Sequence, residues 1–255
     1  METVWRYLTF AKFVSLLEEL RALWMSRLGA LSDRFEGTLP HKTRENMIAS
    51  DLKWKPTFDG QPELQDQLAN MTDRNVADGQ DVLVVNCWFL GESESPQMWK
   101  DHVGSTEGVA IRSTLERLDQ SILAKQEFTL IGKVNYVDFS KHDMGVYHGS
   151  QAVERALLKE ERYSFENEVR IATFNVVCPG CLNPDGSPPS KSQLAGPSMF
   201  DPCRPGLYLQ VNLRTLIEAV VTAPGPERWF YDLVCKLCKH YQIEGPIETS
   251  KLNHV

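Results

Sequence analysis

Apolar residues recur at the start of the chain first with the spacing of a strand and then with that of a helix. The run from Val4 to Leu8 is apolar and aromatic, which predicts a short strand. After Thr9, a residue suited to cap a helix, apolar residues return every three or four positions. This spacing predicts an amphipathic helix whose buried face carries Phe13, Leu16, Leu17 and Leu20.

The middle of the chain carries the strongest strand signal. The run 81–89 is almost continuously hydrophobic and has strand length, which predicts a central strand buried on both faces. Ser95 and Pro96 then predict a helix N-cap followed by the first helical residue. Shorter patterns predict strands at 22–26, 108–112, 132–139, 206–213 and 219–222. Others predict helical segments at 115–123, 150–162, 213–218 and 229–241.

Two segments are poor in such patterns. Residues 38–75 are polar and contain Pro56 and Pro62, which predicts helices interrupted by loops. Residues 178–204 are rich in Pro, Gly and Ser, which is typical of a long exposed loop. The predicted elements alternate without regular βαβ spacing or a Gly-rich phosphate loop. We therefore predict one α+β domain over residues 1–255, with an insertion or loop at about 178–205.

Composition narrows the functional classes. The 255 residues carry a net charge of −7, and the pI is near 5.4. Bulk neutralisation of nucleic-acid phosphates is therefore not supported, although a local basic groove is compatible with an acidic chain. No apolar run is long enough to cross a bilayer, and residues 1–20 are amphipathic and contain acids, unlike a secretory signal. We expect a cytoplasmic protein without membrane association.

The cysteines leave two interpretations open. Because a secretory signal is not evident, thiols or metal ligands are favoured over disulfides. The pairs Cys178/Cys181 and Cys235/Cys238 each have a spacing that occurs in structural zinc sites. The second pair lies within a predicted amphipathic helix, where both cysteines fit equally as small buried hydrophobic residues. No metal is required by this pattern.

Two carboxylates alternate in the segment from Lys159 to Ile171. If this segment is a strand, Glu166, Glu168 and Arg170 share one face, because side chains alternate along a strand. Glycosyl-transfer chemistry uses paired acids of this kind: one stabilises a positively charged sugar carbon and the other orients or deprotonates the attacking group. The structural alternative is a solvated strand face on which Arg170 pairs with a glutamate.

The order of short motifs resembles a bacterial and fungal domain family of unknown function. Its members are often found near phage-defence and abortive-infection genes. The resemblance spans residues 4–242, and it departs from the family pattern at Arg34, where proline is common, and in 178–204. The residues that carry it are Trp5-Arg6-Tyr7, Trp24-Met25-Ser26, Asp33-x-Phe35-Glu36, Asn86-Cys87-Trp88, Trp99, Gly108-Val109-Ala110-Ile111 and Lys159-x3-Tyr163-x2-Glu166-x-Glu168-x-Arg170.

That family in turn resembles the ADP-ribosyltransferase-like superfamily. The resemblance implies split mixed or antiparallel β-sheets with flanking helices, and NAD as the substrate. Arg6 would bind the phosphate or ribose of NAD, for which its planar guanidinium is suited. Glu168 would hold the nicotinamide ribose and stabilise the oxocarbenium-like transition state. Glu166 would activate the acceptor.

The remaining positions of the implied NAD site are less well defined. The middle motif of the superfamily has three candidate matches, which are Asn86, Ser93 and Ser95. Aromatic residues and Arg170 would line the NAD site, and the aromatic candidates to stack on nicotinamide or form the wall are Tyr7, Trp88 and Trp99. The alternative interpretation is that Arg6 forms a surface pair with a carboxylate such as Glu36 and that the aromatic residues pack in the core.

The sequence thus predicts an NAD-dependent ADP-ribosyltransferase-like enzyme, acting as a toxin or antiviral defence effector. Its acceptor would be protein, nucleic acid or water, and an antitoxin or defence-system protein would be its partner. One alternative is a non-catalytic module that senses a ligand or partner. Another is a zinc-stabilised nuclease-like or adaptor protein built on the cysteine pairs. The enzyme requires Arg6 and Glu168 to meet at one cavity. Glu168→Ala is expected to remove activity and to leave the fold intact, because an exposed strand carboxylate contributes little to stability.

Overall fold

The local patterns at the start of the chain form the elements that they predict. The computed structural model describes residues 2–18, 21–54, 79–123, 125, 128–145, 153–175, 181–183, 187, 190 and 205–252. Strand β1 (Thr3–Thr9) is followed directly by helix α1 (Phe10–Glu18). The Thr9 hydroxyl accepts a hydrogen bond from the Lys12 N–H at 3.5 Å, and the helix buries Phe13, Leu16 and Leu17.

The other described strands are short and mostly antiparallel. They are β2 (Ala22–Arg27), β3 (Leu83–Leu90), β4 (Gly108–Thr114), β5 (Leu130–Lys133), β6 (Asn135–Val137), β7 (Leu158–Glu160), β8 (Glu168–Phe174), β9 (Cys181–Leu182), β10 (Gly206–Gln210), β11 (Ala219–Thr222) and β12 (Ile247–Thr249). The other α-helices in the described ranges are α2 (His41–Trp54), α3 (Gly79–Val82), α4 (Pro96–His102), α5 (Leu115–Ser121), α6 (Leu213–Leu216) and α7 (Arg228–His240). Among the same residues, 3₁₀ turns lie at Leu28–Ala30, Glu154–Leu157 and Glu161–Glu166.

Ten of the described strands form one sheet. Its order is β12-β11-β4-β1-β3-β2-β10-β9, and β8 pairs with both β3 and β5. Within this sheet β12 runs parallel to β11, and the other pairs of strands are antiparallel. The remaining strands, β6 and β7, form a parallel pair. The described part of the chain is therefore a mixed α+β fold with a mixed-orientation sheet and flanking helices, as predicted.

The largest core lies between the sheet and two helices. Helices α1 and α7 bury their apolar faces against one side of the sheet, where Phe13 and Phe230 pack in the same cluster as Trp88. A smaller cluster on the other side contains Trp5, Tyr7 and Trp99. β1 is therefore covered on both faces, which explains why its sequence is apolar and aromatic throughout.

The sheet divides at β3. Two different strands pair with the same edge of β3, β2 beside Val84 and Val85 and β1 beside Phe89 and Leu90. Between these points, residues 86–88 have no strand partner on that edge among the described residues. On the opposite edge, β8 pairs with β3 over its length from Leu83 to Phe89. A gap therefore opens between β1 and β2 at the centre of the sheet.

The predicted helix at 150–162 is wrong over its described part. Residues 154–166 instead form a 3₁₀ turn, strand β7 and a second 3₁₀ turn. In an α-helix the Ala156 carbonyl would accept a hydrogen bond from the backbone of Glu160. Here it accepts one from Nη1 of Arg170 at 2.8 Å. A tertiary contact thus takes the place of a helical hydrogen bond.

Three predicted strands have different bounds. The strand at 132–139 is divided, because the Val134 N–H donates to the carbonyl of Glu168 at 2.9 Å between β5 and β6. The central strand begins at Leu83 after the helical turn α3 rather than at residue 81. The strand predicted at 206–213 ends at Gln210, after which Val211 forms only an isolated bridge with Ile122.

The two unpatterned segments are only partly described. Helix α2 covers 41–54 of the predicted interrupted helices, and residues 55–75 lie outside the described residues. Of the segment 178–204, Cys181–Leu182 add strand β9 to β10. Cys178 and the side chain of Cys181 lie outside the described residues, and so does the predicted zinc arrangement of four cysteines.

The second cysteine pair lies on α7. Cys238 is fully buried in the main core, and Cys235 is a partly buried free thiol. In the described ranges, no group of three or more His, Cys, Asp or Glu side chains is arranged to hold a metal ion. None of the described helices has the length and apolar character needed to cross a bilayer.

Candidate functional site

Two neighbouring cavities open at the gap between β1 and β2. The smaller has a volume of about 270 Å³ and is lined by Arg6, Glu166 and Glu168, among others. The larger has a volume of about 500 Å³ and lies between α1, β2 and β10. Four residues line both cavities: Arg6, Leu8, Lys12 and Ser26. The structure thus places the N-terminal guanidinium and the mid-chain carboxylates around one hollow.

Arg6 closes the gap in the sheet. Its Nη1 donates a hydrogen bond to the carbonyl of Cys87, which lies in the part of β3 without a partner strand on this side. The guanidinium is half-buried and lines both cavities. Burial lowers the pKa of Arg6, while Cys87 and the negative charge of Glu168 act in the opposite direction. Arg6 therefore places a positive charge between the two cavities and opposite an acid. The predicted alternative, a surface pair with Glu36, is not what the structure contains.

The two glutamates do not lie on one strand, in contrast to the prediction. Glu166 ends a 3₁₀ turn, and Glu168 begins β8. Between them Asn167 adopts the left-handed conformation, with φ of 39°. Its side-chain amide donates to the Leu90 carbonyl at 2.5 Å, and its own carbonyl accepts from the Leu90 N–H at 2.8 Å. This turn, anchored to the end of β3, brings both carboxylates to the smaller cavity.

Arg170 is the centre of a buried ionic cluster. Its guanidinium contacts both Oε atoms of Glu36, at 2.5 and 3.0 Å. It also holds Oε2 of Glu168 through Nε at 2.9 Å and Nη2 at 2.6 Å. Arg170 has no exposed surface, and Glu36 is 1% and Glu168 6% exposed. The predicted solvated strand face is therefore wrong: Arg170 does pair with a glutamate, but in the interior.

Lys159 extends this cluster to the second glutamate. Its Nζ lies 2.6 Å from Glu166, 3.4 Å from Glu36 and 3.6 Å from Oε2 of Glu168. Burial acts to lower the pKa of Lys159, but Glu168 and Glu36 outweigh it and the pKa is raised. Lys159 is therefore charged at neutral pH. The cluster contains three carboxyl groups and two cations, so one negative charge lacks a counterion among these five side chains when all three carboxyls are ionised.

The two glutamates at the cavity differ in pKa. Burial acts to raise the pKa of Glu168, but Arg170 and Lys159 outweigh it, so this carboxyl stays ionised. Burial raises the pKa of Glu166 to about 7, and the charge of Glu168 adds to this effect against the opposing contact with Lys159. A pair of acids whose environments push their pKa values apart is the arrangement used for acid and base roles at one site.

Some of the other predicted residues line the smaller cavity. Trp88 is 1% exposed, and its indole N–H donates to Oδ1 of Asn86 at 2.7 Å. Tyr7 packs edge-to-face against Trp99 with ring centroids 4.9 Å apart, and its hydroxyl accepts from the Ser95 N–H at 2.8 Å. Both Trp88 and Tyr7 are wall residues of the cavity.

Five predicted residues are absent from the described lining of both cavities: Asn86, Ser93, Ser95, Trp99 and Arg170. The amide of Asn86 is used within the sheet, because it also donates to the Trp24 carbonyl at 2.8 Å. Trp99 is 2% exposed and donates to Glu94 at 2.9 Å. Ser93 is exposed in a loop. The contacts of Asn86 and Trp99 are structural, the Ser95 hydroxyl caps α4, and Arg170 acts on the cavity through Glu168.

The structure adds residues that the sequence analysis did not select. Glu36 belongs to the ionic cluster, and Lys12, His102 and Ser32 line the smaller cavity. Glu36 lies in the motif Asp33-x-Phe35-Glu36, which marked this acid but not its partner Arg170. Lys12 and His102 are in no such motif, and each lies on the exposed side of a helix.

Cys87 also faces this region but is not an activated thiol. Burial, with the charge of Glu168, raises the pKa of Cys87 to about 12. The thiol is therefore protonated at neutral pH, whereas a nucleophilic cysteine requires a lowered pKa. Cys87 therefore supplies no nucleophile to the smaller cavity, in which Glu166 and Glu168 are ionisable carboxyl groups.

Comparisons of the chain with protein-family models, with curated proteins and with solved structures give no match. The geometry itself defines what the site is suited to do. An ionised carboxylate stabilises positive charge that develops on a bound substrate, and it does so more strongly when water is excluded. A second carboxyl with a pKa near 7 exchanges protons at neutral pH.

Proposed function

We propose that the protein is an NAD-dependent ADP-ribosyltransferase-like enzyme. The observation that carries this proposal is the shared cavity of Arg6, Glu166 and Glu168, three residues that are distant in sequence or separated by a turn. The divided sheet supports an ADP-ribosyltransferase-like fold, in which β1 and β2 diverge from β3 around the cavity. NAD is the proposed substrate, with its nicotinamide ribose at Glu168.

In the proposed reaction the glycosidic bond between the ribose carbon and the nicotinamide nitrogen breaks. The electron pair of this bond goes to nicotinamide, which leaves as a neutral molecule, and positive charge develops on the ribose. The ionised Glu168 stabilises this charge, and Arg170 and Lys159 hold its carboxylate in place. The acceptor then forms a bond to the same ribose carbon.

Glu166 is the proposed base for the acceptor. In its ionised form it takes the proton that the acceptor loses when the new bond forms. With water as acceptor the product is ADP-ribose, and with a macromolecule it is a modified protein or nucleic acid. The resemblance of the motifs to a family found near phage-defence genes supports a role as a toxin or antiviral effector with an antitoxin or defence-system partner.

The decisive experiment measures nicotinamide release from NAD by the purified protein. Glu168→Gln keeps the size of the side chain and removes its charge, so release is expected to fall by about 10²–10³-fold. Glu107→Gln is the matched control, because Glu107 is exposed on the turn before β4 and lines neither cavity. Circular dichroism verifies that both variants fold. Equal release by wild type and Glu168→Gln would refute the proposal.

A second candidate function is a non-catalytic module that senses a nucleotide. It is favoured by the ion pairs of Glu168, since a carboxylate held by Arg170 and Lys159 has less charge to offer a substrate. The same preparation distinguishes the two functions: a sensor binds NAD, measured by calorimetry, without releasing nicotinamide in the presence of any acceptor.

A further inference from the structure

The larger cavity has a different chemistry from the smaller one. It is lined by eleven described residues, none of which is acidic, in a protein whose net charge is −7. Arg6 and Lys12 bring two positive charges to it. The first turn of α1, which includes Ala11 in the lining, adds the partial positive charge of a helix N-terminus. This cavity is electrostatically suited to an anion.

Part of the lining of the same cavity is aromatic. Trp24 on β2 and Tyr208 on β10 are direct cross-strand partners, and their rings meet edge-to-face with centroids 4.8 Å apart. Both side chains are only half-buried, and both line the cavity. Partly exposed aromatic surfaces of this kind bind planar rings by stacking, as proteins do with nucleic-acid bases.

Arg6 determines which part of a ligand would lie in each cavity. It belongs to both cavities, with the carboxylates on one side and the aromatic pair on the other. A molecule that spans both cavities would therefore have its anionic part at Arg6 and Lys12, between a ring at Trp24 and a group at Glu168. The volume of about 500 Å³ lies within the common range of ligand pockets, which is about 300–1,000 Å³.

We propose that the larger cavity binds the nucleoside diphosphate part of the substrate. The diphosphate lies at Arg6 and Lys12, and the base packs against Trp24 and Tyr208. This assignment rests on the proposed function only for the identity of the group that lies at Glu168. It makes Lys12 and Trp24 specificity-determining residues, and it predicts that the nucleoside diphosphate binds without a nicotinamide group.

The test is calorimetry of ADP, with adenosine as the comparison ligand, on the full-length protein. ADP is expected to bind at least tenfold more tightly than adenosine, and its affinity falls with added salt because exposed Lys12 is screened. Lys12→Gln is expected to weaken ADP binding by about tenfold, as for the loss of one charge-assisted hydrogen bond. Lys100→Gln, on the exposed face of α4 and outside both cavities, is the control and retains wild-type affinity.

The aromatic wall has its own pair of variants. Trp24→Leu is expected to weaken binding of both ADP and adenosine by about tenfold, because stacking does not depend on the phosphates. Trp229→Leu is the matched control, since Trp229 is 54% exposed on α7 and lines neither cavity. Unfolding curves of each variant distinguish loss of binding from loss of folded protein. Lys12→Gln tests the site without the change in packing that Trp24→Leu introduces.

The outcomes separate this proposal from the enzymatic one. Glu168→Gln is expected to bind ADP at least as tightly as the wild type, because Glu168 does not line the larger cavity and the variant removes a negative charge that acts on Arg6. Binding of ADP that depends on Lys12 and Trp24, in a protein that releases no nicotinamide, would refute the enzymatic proposal alone. Release of nicotinamide without ADP binding would refute the nucleoside diphosphate site alone. A short single-stranded oligonucleotide that binds at Lys12 more tightly than ADP would also overturn it, by pointing to nucleic acid as the ligand.

Discussion

The buried cluster around Arg170 predicts a large stability loss when its guanidinium is removed. Arg170→Met replaces it with an apolar side chain of similar length and leaves Glu36 and Glu168 without their main partner. Five hydrogen bonds are lost, two to each carboxylate and one to the Ala156 carbonyl. Breaking a fully buried ion pair in this way destabilises a protein by about 3–5 kcal/mol. In a domain of this size that corresponds to a fall in Tm of about 6–20 °C.

Arg112→Met is the matched control for this prediction. Arg112 also contacts two glutamates, Glu218 at 3.1 Å and Glu248 at 3.2 Å. These side chains are 25–38% exposed, so water replaces the lost contacts. The expected loss is about 0–1 kcal/mol for each exposed pair. Urea unfolding of both variants at pH 7, followed by circular dichroism, gives the comparison.

The pH dependence of the difference tests its electrostatic origin. In the wild type the pKa of Glu168 is lowered, so its stabilising contribution is present above the unfolded value near 4.5 and is lost as pH falls through the folded value. In Arg170→Met the Glu168 carboxyl loses its main partner and takes up a proton at higher pH than in the wild type, so the penalty shrinks as pH falls. Adding Glu36→Gln to Arg170→Met removes one of the uncompensated charges and is expected to restore part of the stability. A loss at pH 7 no larger than that of Arg112→Met would refute the reasoning.

Three further predictions concern the site and its supports. Because the pKa of Glu166 is raised from 4.5 to about 7, its titration lowers the free energy of unfolding as pH rises across this interval. Glu166→Gln is expected to remove this pH dependence in urea unfolding and also the rise of nicotinamide release through about pH 7. A variant with the wild-type profiles would exclude Glu166 as the titrating group. Asn167 is left-handed, so Asn167→Gly should retain nicotinamide release, whereas Asn167→Val strains the turn and should lower it by tenfold or more; equal activities would show that the turn does not position the pair. Ser95→Ala removes the cap of α4, in which Ser95 Oγ accepts a hydrogen bond from the Met98 N–H at 3.3 Å. It should lower the free energy of unfolding in urea by about 1 kcal/mol. Ser105→Ala, in the turn that follows α4, is the control with little expected effect.

Elements defined by local chemistry were predictable from the sequence. The cap formed by Ser95 and Pro96 predicted the start of α4, and the spacing of apolar residues after Thr9 predicted α1. In both cases the signal and the structure involve residues within one or two turns of each other. The α+β class followed from the same short-range patterns.

The cluster and its local backbone were not predictable in the same way. Arg170 meets Glu36 across 134 residues, and neither residue carries a local mark of that partner. The segment 154–166 has apolar spacing compatible with a helix, but Lys159 and the Ala156 carbonyl are drawn into contacts with the cluster. The prediction that Glu168→Ala leaves the fold intact fails for the same reason. It assumed an exposed carboxylate, whereas the structure buries Glu168. Removal of Glu168 is therefore expected to destabilise the fold as well.

The bond from Arg6 to the Cys87 carbonyl makes the proposed ligand recognition and the cohesion of the sheet depend on one side chain. A ligand that draws on the same guanidinium also links the two arms of the sheet that diverge there. Occupancy should therefore slow amide hydrogen exchange in β1 and β2 together, although these strands do not pair with each other. A loss of ligand affinity in an Arg6 variant therefore has to be interpreted together with the amide exchange rates of β1 and β2.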